Sequence, residues 1–424
     1  MKYTSRVLVI ALRLFLSSWF SLSLPLMAQT QTPNTKFINA HYFNGYGFDT
    51  GTIYSVNGHF SFDKPSRIDS TIDLKGLYLL PPFGEAHNHN IGTGVMEWDS
   101  KAIRNYIDAG VFYVKIQGNY PVNDSIKKAL NINRPGTIDV LFAQGNITSP
   151  GGHPIPLVES LLARGFYPGN TKESLNDRRY FIINSKTDLE TKWPLIIRYR
   201  PDFIKVLLSQ SDRYEELKND STVRYRGLDP KLIPLIVKKA HAENLKVSAH
   251  IINAHDFHTA LLAGVDKIAH MPRMISGIPY VSISAEDAKL AARRRVTVIT
   301  THAISLYQGG TLKREDFAQA REIQAVDLQL LYNYGVSLAI GSDDPADNSS
   351  KEVLYLKELG VFDNLTLLKI WAQNTPSAIF PTRKLGAIKQ GYEASFLALE
   401  GNPAEDLNNV RRIKLRFNQG KFLQ

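Results

Sequence analysis

Eight short apolar runs, separated by helix-like stretches, follow one another through the middle of the chain. The helix-like stretches between them include residues 230–243 and 318–334. Strands that alternate with helices favour a parallel sheet and an α/β fold. Eight such strands predict a (β/α)8 TIM-like barrel over residues 81–380 rather than an open doubly wound sheet. The apolar runs are residues 77–86, 111–117, 139–144, 203–208, 246–251, 267–270, 297–301 and 337–341.

Both ends of the chain are instead rich in short strand-like segments. Near the N terminus, two of them flank Asn57-Gly58, a residue pair typical of hairpin turns. The C-terminal segments show the same pattern around a second Gly-containing turn. We therefore expect a small β-sandwich domain assembled from both chain ends, residues 29–80 and 381–424.

The first 28 residues differ from the rest of the chain. Lys2 and Arg6 precede a largely apolar run, and polar residues follow Ala28. This order is typical of a signal peptide at residues 1–28, which predicts an exported protein, periplasmic or secreted. The alternative is an uncleaved anchor. Arg13, however, leaves an apolar stretch too short to span a bilayer comfortably, so no stable membrane span is expected after cleavage.

The composition excludes several classes of protein. The chain has no cysteine, which excludes disulfides, thiolate catalysis and thiolate metal ligands. Its 424 residues, 43% of them hydrophobic, suffice for a sizeable core. The formal net charge of +10 is spread along the chain, so nucleic acid binding is not expected. The expected partner is a small-molecule substrate. Such barrels often form a homo-oligomer, but no feature of the sequence sets the subunit number.

Side chains that commonly bind metals lie at the ends of several predicted strands. In a strand, residues two apart face the same side, so a His-x-His pair can hold one ion. Such a pair alone is often incidental. Several such side chains, each at the end of a different strand, are stronger evidence for a metal site, because the C-terminal ends of barrel strands meet at one face. The candidate ligands are His87, His89, Lys205, His250, His270 and Asp343.

Lys205 fits a metal site only in modified form. Two divalent ions about 3.5–4 Å apart would polarise a carbonyl and stabilise the attacking oxygen. A group that bridges two cations must be anionic, which requires a neutral lysine carboxylated by carbon dioxide to a carbamate. The neighbours Phe203, Ile204 and Val206 make an apolar setting that lowers a lysine pKa and favours this modification. An ordinary ion-paired lysine is the alternative.

The motifs together resemble the metal-dependent amidohydrolase superfamily, in the branch with imidazolonepropionase-like enzymes and lysine-bridged prolidase-type peptidases. The resemblance covers essentially the whole chain after the predicted signal peptide. Its main carriers are His87-Asn88-His89, Asp202-Phe203-Ile204-Lys205, Val247-Ser248-Ala249-His250, Ala269-His270 and Ile340-Gly341-Ser342-Asp343.

Together with the predicted signal peptide, this resemblance implies an exported binuclear hydrolase that cleaves a C–N bond in an amide, a peptide or a cyclic amide. One ion would lie between the His-x-His pair and Asp343, and the other between His250 and His270. Carboxylated Lys205 and a hydroxide would bridge the two. Asp343 would take the proton of the attacking water and deliver it to the leaving nitrogen. The expected cofactors are two zinc ions, although this ligand set also accepts manganese or cobalt.

Three further residues are candidates for substrate contact. His153 lies in a Gly-Gly-His-Pro loop after the third predicted strand, and His302 follows the seventh. Arg273, after the sixth, is one of three arginines suited to grip a substrate carboxylate, with Arg224 and Arg226. The alternative for His153 is a structural loop turn, and the sequence does not choose among the three arginines.

Two other functions fit the same sequence. One is a mononuclear deaminase or imidazolonepropionase-like hydrolase, in which Lys205 is unmodified. The other is a non-catalytic binding protein on the same scaffold, for which a lost ligand would be expected, and none is missing. A serine hydrolase is disfavoured because the chain has no Gly-x-Ser-x-Gly motif.

Overall fold

The first strands of the chain lie in a small sheet. The computed structural model describes residues 32–423 except 221, 224, 225, 276 and 305–313. The predicted signal peptide lies outside the described residues, so it stays a prediction. The first five strands are β1 (Thr35–Phe43), β2 (Phe48–Val56), β3 (His59–Ser61), β4 (Ser70–Asp73) and β5 (Tyr78–Leu80).

Ten strands follow in the middle of the chain. Most are short and buried along their whole length, as expected for parallel strands that are covered on both faces. They are β6 (Phe83–Asn88), β7 (Val111–Ile116), β8 (Asp139–Phe142), β9 (Asn146–Thr148), β10 (Tyr180–Ile182), β11 (Ile204–Leu207), β12 (Val247–His250), β13 (Lys267–Ile268), β14 (Thr297–Ile299) and β15 (Ser337–Ala339).

Helices connect these strands. Many begin at a capping side chain: Asn253, for example, accepts a hydrogen bond from the Asp256 N–H, which satisfies a free donor of the first turn. None of the described helices is long and apolar enough to cross a membrane. The α-helices are α1 (Met96–Asp108), α2 (Asp124–Ala129), α3 (Ile155–Ala163), α4 (Lys172–Leu175), α5 (Lys186–Arg198), α6 (Tyr214–Leu217), α7 (Ile233–Ala242), α8 (Ala254–Ala263), α9 (Ala285–Arg293), α10 (Arg314–Asn333), α11 (Ser349–Leu359), α12 (Asn364–Lys369) and α13 (Thr375–Ile379).

The last strands of the chain return to the small sheet. They are β16 (Phe396–Leu399), β17 (Ile413–Asn418) and β18 (Lys421–Phe422). The strand order is β18-β17-β16-β5-β1-β2-β3, with β4 also paired to β1. Strands from both chain ends therefore share one eight-stranded sheet. The predicted two-sheet sandwich and the domain boundaries stay predictions.

Two parallel sheets carry the middle of the chain. One has the order β6-β7-β8 and the other β10-β9-β11-β12-β13-β14-β15. Main-chain hydrogen bonds join them at two places: the Ala86 N–H in β6 donates to the Ile340 carbonyl after β15 at 2.9 Å, and the Asp202 N–H before β11 donates to the Phe142 carbonyl in β8 at 2.9 Å. The C-terminal ends of β6 and β15 are therefore neighbours.

The mixed α/β class with parallel strands is confirmed, and each predicted run contains an observed strand. Pro81 and Pro82 divide the first run into β5 and β6, because proline cannot donate a ladder hydrogen bond. Strand β6 is anchored by Phe83, whose ring stacks on Trp371 with centroids 3.6 Å apart. The apolar core lies between these parallel strands and the surrounding helices.

Candidate metal centre

Three side chains converge where β6 and β15 end. The Nε2 atoms of His87 and His89 lie 3.2 Å apart. Asp343 Oδ1 lies 3.3 Å from the Nε2 of His87 and 3.4 Å from that of His89. A tetrahedral zinc ion with bonds of about 2.0–2.1 Å places neighbouring ligand atoms about 3.3–3.4 Å apart. The three atoms thus form one face of such a tetrahedron.

Backbone carbonyls fix the orientation of both histidines. The Nδ1 of His87 lies 2.5 Å from the Ala269 carbonyl oxygen, and the Nδ1 of His89 lies 3.0 Å from that of Gly118. A carbonyl only accepts, so each Nδ1 carries the proton and each Nε2 presents a lone pair. Two lone pairs 3.2 Å apart repel each other unless a cation lies beside them. The tautomers therefore suit a metal ion.

Glu85 supports the backbone from which these ligands project. It is fully buried and accepts hydrogen bonds from the His87 N–H at 3.1 Å and from the Ser342 N–H and hydroxyl, both at 2.8 Å. Asp343 follows with φ of +51°, and its N–H donates to the His87 carbonyl at 2.8 Å. Burial raises the pKa of Glu85 to about 8. These bonds hold the two ligand-bearing strand ends together.

A second group of candidate ligands lies beside the first. His270 Nε2 lies 2.7 Å from His250 Nδ1, and the His270 and His87 rings stack with centroids 5.7 Å apart. The Nζ of Lys205 and the Nε2 of His250 are buried and have no hydrogen-bond partner among the described residues. Buried polar atoms without a partner are costly and rare. The group therefore fits a site that is completed by an ion or another bound group.

Burial sets the charge of these side chains. It lowers the pKa values of His87, His250 and His270 well below the ordinary value, so each is the neutral imidazole that binds metals. Burial also lowers the pKa of Lys205 to about 7, against the opposing pull of Asp343. A large fraction of Lys205 is therefore uncharged near neutral pH, which is the form that carbon dioxide can carboxylate.

Asp343 remains ionised although it is enclosed. Burial alone would raise its pKa, but the positive charge of the Arg273 guanidinium opposes that effect, and the pKa lies well below its ordinary value. Arg273 Nη1 lies 3.6 Å from Asp343 Oδ2. One carboxylate oxygen thus faces the histidine pair and the other faces a guanidinium.

The other predicted contact residues are placed differently. His153 lies in the cavity wall, with its ring stacked on His250 at a centroid distance of 4.8 Å. His302 is buried behind the site and is not among the residues that line the cavity. Burial lowers the pKa of each to about 3, so both are neutral. Arg226 points to the Lys218 carbonyl at 3.1 Å, and Arg224 lies outside the described residues.

A cavity of about 370 Å³ opens onto these groups, and sequence reasoning missed part of its wall. Arg179 is 5% exposed and donates from Nε to the Tyr167 hydroxyl at 3.1 Å and from Nη1 to Asn146 Oδ1 at 3.4 Å. It forms no ion pair with any carboxylate of the described chain. The sequence signal was weak, because Arg178-Arg179 is an ordinary basic pair within a long insertion. The apolar part of the wall is formed by Pro154, Pro156, Leu157, Leu161, Phe166, Leu207 and Ile304.

Comparison with known proteins first defines the class of fold. A crystal structure of an amidohydrolase superposes with a TM-score of 0.70 at 17% identity, covering 92% of this chain and 98% of that chain. The structure of a Xaa-Pro dipeptidase with bound methionine in the active site gives a TM-score of 0.71 at 17% identity, covering 92% and 100%. The chain therefore shares the fold of these two proteins.

One particular protein is similar in both sequence and structure. The ochratoxinase of Aspergillus niger is 27% identical over 230 residues, which cover 52% of this chain and 45% of the relative. Its crystal structure gives a TM-score of 0.72 at 18% identity, covering 92% of this chain and 95% of that chain. The chain spans about half the length of the curated relatives it matches. No family model matches the chain.

Proposed function

We propose that this protein is a metal-dependent amidohydrolase that cleaves a C–N bond in a small amide or peptide. The observation that carries the proposal is the triangle of His87, His89 and Asp343, whose ligand atoms are spaced for one tetrahedral ion. The ochratoxinase and dipeptidase that share the fold support the proposal, since their names place them among enzymes of this kind.

We propose that the candidate ligands bind two metal ions. The triangle would hold one divalent ion, zinc by preference, and His250 with His270 would hold the other. Lys205, as a carbamate, would bridge them, and its buried, unpartnered Nζ supports this role. We further propose that the two parallel sheets close into one (β/α)8 barrel, because main-chain hydrogen bonds join β6 to the end of β15 and β8 to the start of β11.

Asp343 would carry the proton through the reaction. The metal ions, when bound, would polarise the amide carbonyl and lower the pKa of water to near neutrality. Asp343 is ionised and faces the histidine pair through Oδ1, so it can accept a proton from the attacking water. It can then donate that proton to the leaving nitrogen. Arg273, at Oδ2, keeps the carboxylate oriented between the two transfers.

The cavity wall indicates the kind of substrate. Arg179 presents a buried guanidinium without a carboxylate partner among the described residues, and the rest of the wall is largely apolar. A guanidinium pairs well with a substrate carboxylate, and apolar walls suit an aromatic or aliphatic side chain. We therefore propose N-acyl amino acids and dipeptides as the substrate class.

A panel assay of the zinc-loaded protein tests this function. The panel contains Xaa-Pro dipeptides, N-acyl amino acids including ochratoxin, and the same compounds with the carboxylate amidated. We expect the unaltered protein to hydrolyse the free acids. Arg179→Gln should raise the KM for these acids about tenfold or more and leave the KM for the amidated compounds unchanged. Arg178→Gln is the matched control, because Arg178 is exposed and contacts Tyr120 instead. Hydrolysis of none of these amides would refute the proposal.

One observation favours the mononuclear alternative. His250 Nδ1 and His270 Nε2 are 2.7 Å apart, which is an ordinary hydrogen bond and closer than two ligands of one tetrahedral ion. The two would have to separate to bind a second ion. Metal content decides the matter: one tightly bound ion per chain in an active protein would establish the mononuclear site. If the unaltered protein hydrolyses none of the panel and an Asp343→Asn variant retains all assayable function, the result would instead support a non-catalytic binding protein.

A further inference from the structure

A second, larger cavity lies at the other end of the parallel strands. It measures about 1150 Å³, and its wall includes Phe203, Lys246 and Lys267. Each of these residues lies at or just before the start of a strand, and Lys205, His250 and His270 lie two to four residues further along the chain. Two to four residues of extended chain span about 7–13 Å. The cavity is therefore separate from the candidate metal centre.

Positive charge dominates the wall of this cavity. Five basic side chains line it, against two carboxylates, Asp202 and Asp266. Asp266 is already engaged, because its carboxylate lies 2.8 Å from the Lys246 ammonium and 2.8 Å from His241 Nε2. Asp202 Oδ2 accepts the Phe142 N–H at 2.8 Å. The basic side chains are Lys115, Lys246, Lys267, Arg294 and Arg295.

Four of the five basic residues make no ion pair with the described part of the chain; Lys246 is the exception. Lys115 is 2% exposed, and its Nζ lies 3.8 Å from the centroid of the Phe203 ring. Lys267 donates to the Ala378 carbonyl, and Arg294 donates to the Leu261 carbonyl. Arg294 is exposed, whereas Lys267 is half-buried and Lys115 is buried, so that burial lowers the pKa of Lys115 well below its ordinary value. For these two lysines, a ring face and a neutral carbonyl offset only part of the cost of holding a positive charge there. A bound anion would offset more of it.

We propose that this cavity binds a small, multiply charged anion that carries phosphate or carboxylate groups. The cavity is larger than a single inorganic ion needs, and its volume suits a molecule of the size of a metabolite. Side chains of Thr297, Ser337, Asn374 and Ser377 also line it and supply the neutral donors with which proteins complete an oxyanion site. This site is independent of the amide hydrolysis proposed above.

Calorimetric titration of the full, metal-loaded chain tests the proposal. Inorganic phosphate and succinate are titrated separately, so that the response identifies which anionic group is bound. We expect saturable binding of at least one probe, with affinity lowered about tenfold or more by Lys115→Met and by Arg295→Gln. Arg293→Gln is the matched control, because this neighbouring exposed arginine does not line the cavity. It should change the affinity less than about twofold.

Three results would overturn the proposal. One is the absence of saturable binding of either probe to the unaltered protein. Another is an equal loss of affinity in Arg293→Gln, which would indicate non-specific attraction to a basic surface. The third is binding that is unchanged by Lys115→Met and Arg295→Gln but lost on metal removal, which would place the anion at the metal centre. Arg295→Gln alters an exposed side chain and should fold, so this variant still tests the proposal if Lys115→Met fails to fold.

Discussion

Lys205 is the residue that distinguishes a binuclear from a mononuclear centre. Its Nζ is buried and has no hydrogen-bond partner in the described part of the chain, and burial lowers its pKa to about 7. We expect Lys205→Ala to lose one of two metal ions and most of the hydrolytic activity, because no anion then bridges the ions. A short carboxylic acid such as propionate should restore part of both. Metal analysis and activity with and without propionate measure this, and an active variant with unchanged metal content would contradict it.

The matched control for that experiment is Lys115→Met. Lys115 is as deeply buried as Lys205 but lines the other cavity, at 3.8 Å from the Phe203 ring centroid. Metal content should remain at the unaltered level in this variant. A loss of metal in both variants would indicate a general effect of removing a buried lysine.

Individual site residues differed in how well the sequence predicted them. His87, His89 and Asp343 were predictable because strand ends carry them in a recognisable order, and the structure brings all three together. Arg179 was not predictable, because a single arginine in the long connection between β9 and β10 has no sequence pattern that distinguishes it from a solvated arginine. Glu85 was also missed. Its role depends on hydrogen bonds to His87 and Ser342, which are far apart in sequence.

At the scale of elements, the close contact between the ends of β6 and β15 makes Gly341 irreplaceable. A Cβ at Gly341 would lie 2.8 Å from both the Cβ and the backbone N of His87, so the ligand would have to move. We expect Gly341→Ala to weaken zinc binding about tenfold or more and to lower the free energy of unfolding by about 1–3 kcal/mol.

Zinc competition with a chromophoric chelator and urea unfolding measure these two effects. Gly47→Ala is the matched control, since an added Cβ there meets no atom within 4 Å. Unchanged zinc affinity in Gly341→Ala would show that the strand contact does not position His87.

Helix α11 stabilises the loop after β14 through Glu352. This fully buried carboxyl group accepts hydrogen bonds from the N–H groups of Thr301, His302 and Ala303 at 3.0, 2.9 and 2.6 Å. Burial raises its pKa to about 7, above the ordinary 4.5. Its contribution to stability is therefore complete below about pH 4.5 and is lost as the pH rises through about 7.

We expect Glu352→Gln to reduce the fall in the free energy of unfolding between pH 4.5 and pH 7, because the titrating group is gone. Urea unfolding of metal-free protein at a series of pH values measures this slope. Equal slopes in the variant and the unaltered protein would show that Glu352 ionises normally in the folded state.

Elements were more predictable than their connections. The eight apolar runs each contain a strand, because burial on both faces produces a continuous apolar sequence. The strands β9 and β10 lie in an insertion and were missed, since three-residue strands carry too little pattern to identify. His302 follows a correctly predicted strand, yet it does not line the cavity.

At the scale of the whole molecule, the proposed metal ligands lie at the ends of separate strands from distant parts of the chain. Ligands that bind only the folded state stabilise it in proportion to the logarithm of their concentration over Kd. We expect removal of metal with a chelator to lower the melting temperature by several degrees, and added zinc to restore it. Calorimetry measures this. A melting temperature indifferent to both treatments would show that no ion links the strand ends.

Anomalous diffraction from zinc-loaded crystals tests the central claim most directly. The account predicts two zinc peaks about 3.5–4 Å apart, one beside His87, His89 and Asp343 and the other beside His250 and His270. Additional density on Lys205 should lie between them. A single peak with an unmodified Lys205 would contradict the binuclear centre, and no peak at either group would contradict the metal-dependent reaction itself.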